Sequence, residues 1–97
     1  MRKESEFQRN LKKRLESEFP GCIVLKNDAD YIQGIPDLLI LHKDRWAMLE
    51  CKRSSKASHQ PNQDYYVEKL DGMSYASFVY PENIEEVFHD LRETFGS

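Results

Sequence analysis

The sequence predicts an α/β domain: a mixed four-stranded sheet flanked by helices, in the order α-β-β-β-α-β-α. Three observations carry this. Apolar residues recur at helical spacing near both ends of the chain, at Phe7, Leu11, Leu15 and Phe19 and again at Ile84, Val87, Phe88, Leu91 and Phe95. Two apolar runs in the middle are separated by only a short polar turn, which makes a hairpin. A helical segment then stands between the third and fourth strands. A strand, crossover helix and strand pair in parallel, so the sheet is mixed.

Each element follows from local chemistry. The first helix covers about residues 4–19 and stops at Pro20-Gly21. Cys22 to Lys26 is a short β-rich run, and Asn27 to Asp30 is turn material. Residues 37–42 form a continuous apolar strand, which suggests burial on both faces. Lys43, Asp44 and Arg45 make a tight turn into a partner strand over 46–53. Ser54 to Asn62 is a polar loop. Pro61 suits the first turn of a helix over about 62–72, with Val67 and Leu70 inward and Asp71-Gly72 at its end. A fourth strand spans 74–80, and Pro81-Glu82 opens the third helix.

Length and composition bound the functional classes. Ninety-seven residues with 39% hydrophobic content make one folded domain with a modest core. No apolar run approaches the roughly 20 residues that cross a bilayer. The charged start of the chain lacks a signal-peptide core, so the expectation is a cytoplasmic protein. Cys22 and Cys51 have neither metal-type nor redox-type spacing and read as reduced thiols. The net charge of −3 argues against binding nucleic acid by bulk attraction. Its distribution says more: residues 1–60 hold twelve Lys/Arg against nine Asp/Glu, and residues 61–97 hold two against eight. A basic face with an acidic reverse suits a protein that orients on a phosphate backbone, although an acidic third helix is equally a solvated surface.

The chemistry concentrates in the hairpin. Asp37 heads the first strand behind Pro36, whose ring fixes φ and removes a backbone donor. Glu50 and Lys52 lie two residues apart on the second strand and so project from one face. Two carboxylates can hold a hard divalent cation, and an ammonium beside them can steer a water or a phosphate oxygen. His42 and His59 lack metal-ligand spacing to each other.

Pro36-Asp37, followed after twelve residues by Glu50-Cys51-Lys52, resembles the signature of the PD-(D/E)xK nuclease superfamily, and the element order is similar to its restriction-endonuclease-like core. Within that superfamily the chain is most similar to the small phage-type VRR-Nuc (virus-type replication-repair) nucleases and to junction-resolving endonucleases. Gln63, Tyr66 and Leu70 match a Gln-x-x-aromatic-x-x-x-Leu stretch after the lysine strand. Glu4, three residues before Phe7, matches a first-helix glutamate; Glu6 is a second candidate that helical angles turn away.

The resemblance implies a Mg²⁺- or Mn²⁺-dependent endodeoxyribonuclease. Asp37, Glu50, the backbone carbonyl of Cys51 and Glu4 would be ligands, Lys52 would act on the water or the phosphate, and Gln63 would line the site. Lys12, Lys13 and Arg14 of the first helix, with Arg53, Lys56 and His59, are candidates for phosphate contact. With no sequence-reading motif present, branched DNA such as a Holliday junction is the expected substrate, and paired cuts across a junction imply a homodimer. The alternatives are a non-specific or flap-directed nickase and a non-catalytic nucleic-acid-binding module on the same fold.

Overall fold

A computed structural model describes residues 3–96, with side chains from Ser5 onward. Its elements are α1 (Lys3–Glu18), β1 (Ile23–Lys26), β2 (Leu38–His42), β3 (Arg45–Cys51), α2 (Pro61–Met73), β4 (Tyr75–Val79) and α3 (Ile84–Phe95). The order is the expected one, and the strand and first two helix boundaries fall within two residues of expectation. The strands lie side by side as β1-β2-β3-β4, with antiparallel pairing across the first two junctions and parallel pairing between β3 and β4. The sheet is therefore mixed, with α2 as its crossover.

The hairpin turn is tighter than its three polar residues suggest. His42 pairs with Arg45, so only Lys43 and Asp44 turn the chain, and Lys43 takes a positive φ of 58°. That left-handed position is usually filled by glycine or asparagine in two-residue hairpins.

Strand alternation gives the sheet two unlike faces. On one, Leu38 and Ile40 of β2, Ala47, Leu49 and Cys51 of β3 and Val79 of β4 meet Leu11, Leu15 and Phe19 of α1 and Val87, Phe88, Leu91 and Phe95 of α3. Burying each such large side chain stabilises by about 1.5–3 kcal/mol. Phe19 sits at the centre, 5.1 Å from the Phe95 ring and 6.3 Å from Phe88. His42 belongs to this core and not to any site: its ring lies between those of Phe19 and Phe95, and its buried Nδ1 makes no hydrogen bond.

Arg14 closes the same layer. Its guanidinium lies 4.0 Å from the Phe88 ring centre and bonds Glu85 twice at 2.8 Å and Glu18 at 2.7 Å. Expected as a phosphate contact, it instead ties α1 to α3, a pairing across 71 residues that local sequence does not reveal.

The opposite face is covered only in part. The thirteen residues of α2 lie across β4 and β3, and only Leu70 of the helix is buried. The expectation that β2 is buried on both faces is corrected here. Leu41 is 36% exposed, and Ile23 and Leu25, its neighbours on β1, are 55% and 44% exposed. An apolar strand buries its second face only where a crossover helix reaches it. Among the described residues, no helix is long and apolar enough to cross a membrane.

Candidate catalytic site

The site forms where the C-terminal end of β3 meets the segment entering β2 and the first turn of α2. Ala47, Leu49 and Cys51 point into the core, so alternation turns Glu50 to the α2 face. Lys52 stays beside it because its backbone N–H continues the ladder to Val79 O at 2.9 Å. Asp37 lies one step beyond the Leu38–Leu49 pair, level with Glu50. The structure thus brings Asp37, Glu50 and Lys52 together.

Asp37 is held by backbone. Its Oδ2 accepts the Cys51 N–H at 2.9 Å, a bond that crosses the hairpin. The segment carrying it is pinned by Asn27, which donates its N–H to Asp37 O at 2.8 Å and its side-chain amide to Pro36 O at 2.9 Å. Burial pushes the Asp37 carboxyl above the usual carboxylate range. The Cys51 N–H, Lys26 and Lys52 pull the other way without cancelling it.

Glu50 and Lys52 are joined by one amide. Gln63 donates from Nε2 to Glu50 Oε2 at 2.9 Å, and its Oε1 accepts from Lys52 Nζ at 2.8 Å. The direct Lys52–Glu50 separation is longer, 3.9 Å. Glu50 is 3% and Lys52 9% exposed, so both charges are compensated in place rather than by bulk water. Gln63 Oε1 also accepts the Gln60 N–H at 3.0 Å, in the reciprocal cap at the start of α2. Pro61 occupies the helix's first turn, as its fixed φ favours.

The remaining expected residues divide. Arg53 and Lys52 border a cavity of about 200 Å³ with Ala57 and Ser58, and Lys56 is exposed on the same loop. His59 stacks on Phe78 at 3.9 Å and pairs with Asp64 at 3.0 Å. Lys12 pairs with Glu16 at 2.8 Å and borders a groove with Arg9 and Lys26, while Lys13 is exposed on the next helix position. Glu6 is exposed. Glu4 lies in the first turn of α1, and its side chain is outside the described residues.

Sequence reading missed Lys26 and Asn27. Lys26 ends a strand directly before turn residues, and its pull on Asp37 depends on β1 pairing with β2. The available signal for Asn27 is an asparagine directly after a strand, which by itself reads as turn material.

Among the described residues, no three His, Cys, Asp or Glu side chains form a metal-holding group. The cluster is two carboxylates, a lysine and an amide. Chemically, this set can pair carboxylate oxygens with a hard cation on one side and present an ammonium to an anion on the other.

No family model matches the chain, and no curated protein matches it. A solved structure described as a VRR_NUC domain superposes with a TM-score of 0.74 at 23% sequence identity, covering 92% of this chain and 97% of that one. The chain shares that domain's fold, which is the fold its Pro-Asp and Glu-x-Lys residues imply.

Proposed function

We propose that this chain is a metal-dependent endodeoxyribonuclease that hydrolyses phosphodiester bonds in branched DNA. The observation that supports this best is the joining of Glu50 and Lys52 through Gln63, beside Asp37, on a fold shared with a VRR_NUC domain. The donor set fits Mg²⁺ or Mn²⁺. Asp37 and Glu50 supply hard oxygens, and the Cys51 carbonyl and Glu4 are the further oxygens that a cation would use. Such a cation, when bound, polarises the scissile phosphate and acidifies a water.

The chain's own residues do the rest. Asp37 is oriented by the Cys51 N–H, which leaves its other oxygen for a cation. Lys52 is held at 2.8 Å from an uncharged acceptor rather than locked against a carboxylate, which leaves its ammonium able to meet a phosphate oxygen or orient the attacking water. Gln63 sets the separation of Lys52 from Glu50. Arg53 and Lys56 neutralise neighbouring phosphates, and Lys12 and Lys13 do so along α1. Hydrolysis leaves a 5′-phosphate, as the family resemblance implies.

Paired incisions need two copies. The exposed apolar side chains of Ile23, Leu25 and Leu41 give a second copy a surface to cover, beside the open edge of β1. Sedimentation of the wild type and of Leu25→Lys tests this: a dimer that the substitution dissociates is expected, and a monomeric wild type refutes it.

The activity is tested by incubating the protein with a four-way junction, a flap and linear duplex in Mg²⁺, Mn²⁺ or Ca²⁺. Junction cleavage with Mg²⁺ or Mn²⁺, lost in Lys52→Ala, is expected. Binding without cleavage of any substrate refutes catalysis, and equal cutting of linear duplex refutes selectivity for branches.

A further inference from the structure

Beside the catalytic cluster lies a second cavity, of about 480 Å³, between the loop preceding β2 and the first turn of α2. Its lining includes Ala29, Gln33, Gly34, Gln60, Asn62 and Gln63. No charged side chain borders it, so it is a poor place for a phosphate. Its character comes from the side-chain amides of Gln33, Gln60 and Asn62, a group type that carries both a donor and an acceptor, while the Gln63 amide is engaged by Glu50 and Lys52. That is the chemistry that matches the edge of a nucleobase, where donors and acceptors alternate. The smaller cavity bordered by Lys52 and Arg53 has the opposite character, cationic and suited to phosphate. The two are linked by a single hydrogen bond, Lys52 to Gln63 at 2.8 Å.

We infer that the amide-lined cavity receives an unpaired nucleobase next to the scissile phosphate. The phosphate of that nucleotide then lies at Lys52 and Arg53. This rests on the nuclease reading above and extends it to the substrate's bases. Two further observations support it. The cavity's wall is built tightly, because Gly34 has φ of +94° and a Cβ there would stand 2.3 Å from Asn62 Cβ, so the loop and helix meet in one defined geometry. Tyr31, between the lining residues Ala29 and Gln33 in the chain, is 85% exposed, so its ring face is open to stacking. Extracting a base from a duplex costs a few kcal/mol, whereas at a branch point it is already unpaired. The cavity therefore selects branched substrates without reading the duplex sequence.

The test uses junctions carrying 2-aminopurine at each nucleotide flanking the cut, with Ca²⁺ in place of Mg²⁺ and binding followed separately by anisotropy. One flanking position is expected to brighten on binding as its base leaves the stack. Ala29→Phe fills the cavity without removing a hydrogen bond. It should abolish that brightening and lower kcat/KM about tenfold in Mg²⁺ while the melting temperature stays unchanged. Gln33→Leu should keep the brightening but alter the preference for the base at that position. Saturable binding and cleavage with no brightening anywhere, or brightening that survives Ala29→Phe, overturns the inference and leaves the nuclease reading standing. Absence of both binding and cleavage overturns both.

Discussion

The two faces of the sheet are built on different terms. The face under α1 and α3 is closed, aromatic and nearly dry, with Phe19, Phe88, Leu11, Leu15 and Leu91 at 1% exposure or less. The face under α2 is thin: one buried helix residue, two buried charges and an amide between them. Alternation along β3 assigns Ala47, Leu49 and Cys51 to stability and Glu50 to chemistry within seven residues. One face holds the molecule together so that the other can carry desolvated charge, which a small core tolerates only where it is paired.

Substitutions that act on one face alone break this division most clearly. Phe88→Ala empties the centre of the closed face and should cost about 3–5 kcal/mol by chemical denaturation. The folded fraction that remains should retain its site geometry. Gly34→Ala attacks the other side, forcing a left-handed backbone and a contact with Asn62. It should cost about 2 kcal/mol and lower DNA affinity, read by denaturation and anisotropy together. If Gly34→Ala proved neutral in both, the loop would be shown to move freely against α2.

Smaller effects sharpen the comparison. Arg14→Ala loses the Phe88 contact and the links to Glu85 and Glu18, for about 1–2 kcal/mol in stability. Its pH dependence has a definite sign. Burial raises the Glu18 carboxyl, but hydrogen bonds from Arg14 and Arg92 outweigh this and hold it below its ordinary value. A lowered carboxylate stabilises above its unfolded pKa and stops doing so as pH falls through the folded one. The gap between wild type and Arg14→Ala should therefore be full at neutral pH and shrink in acid. Gln63→Leu should cost about 1–3 kcal/mol, since it takes a hydrogen bond from each of two buried charges as well as the cap. Its kcat should fall while KM changes little, because Lys52 and Glu50 lose their spacer. A rise in KM alone would make Gln63 a binding residue.

The fold was legible because its signals are local. Phe7, Leu11, Leu15 and Phe19 mark a stripe within one helix, and Asp37 with Glu50 and Lys52 needs only a hairpin to meet. What escaped depends on neighbours distant in sequence. Arg14 looked like a member of a basic cluster until α3 brought Glu85 and Phe88 to it. Leu41 looked buried until α2 settled over β3 and β4 instead of β2. His59 reads from sequence as a candidate phosphate contact on a loop, whereas β4 brings Phe78 against its ring. Lys26 gave no sign of acting on Asp37, because nothing local announces which strand pairs with which.

Gln63 has two duties, and they are not separable. The same Oε1 that receives the Lys52 ammonium closes the first turn of α2 through the Gln60 N–H. Helix ends fray on fast timescales, and each opening of this turn would release the lysine and the glutamate together. The share of molecules able to work at any instant is then set by the local opening equilibrium of one helical turn. Hydrogen exchange at the Gln63 and Asp64 amides, both of which donate to Gln60 O, would read that share directly. A partner or substrate that clasps the start of α2 would raise activity without touching a reacting atom.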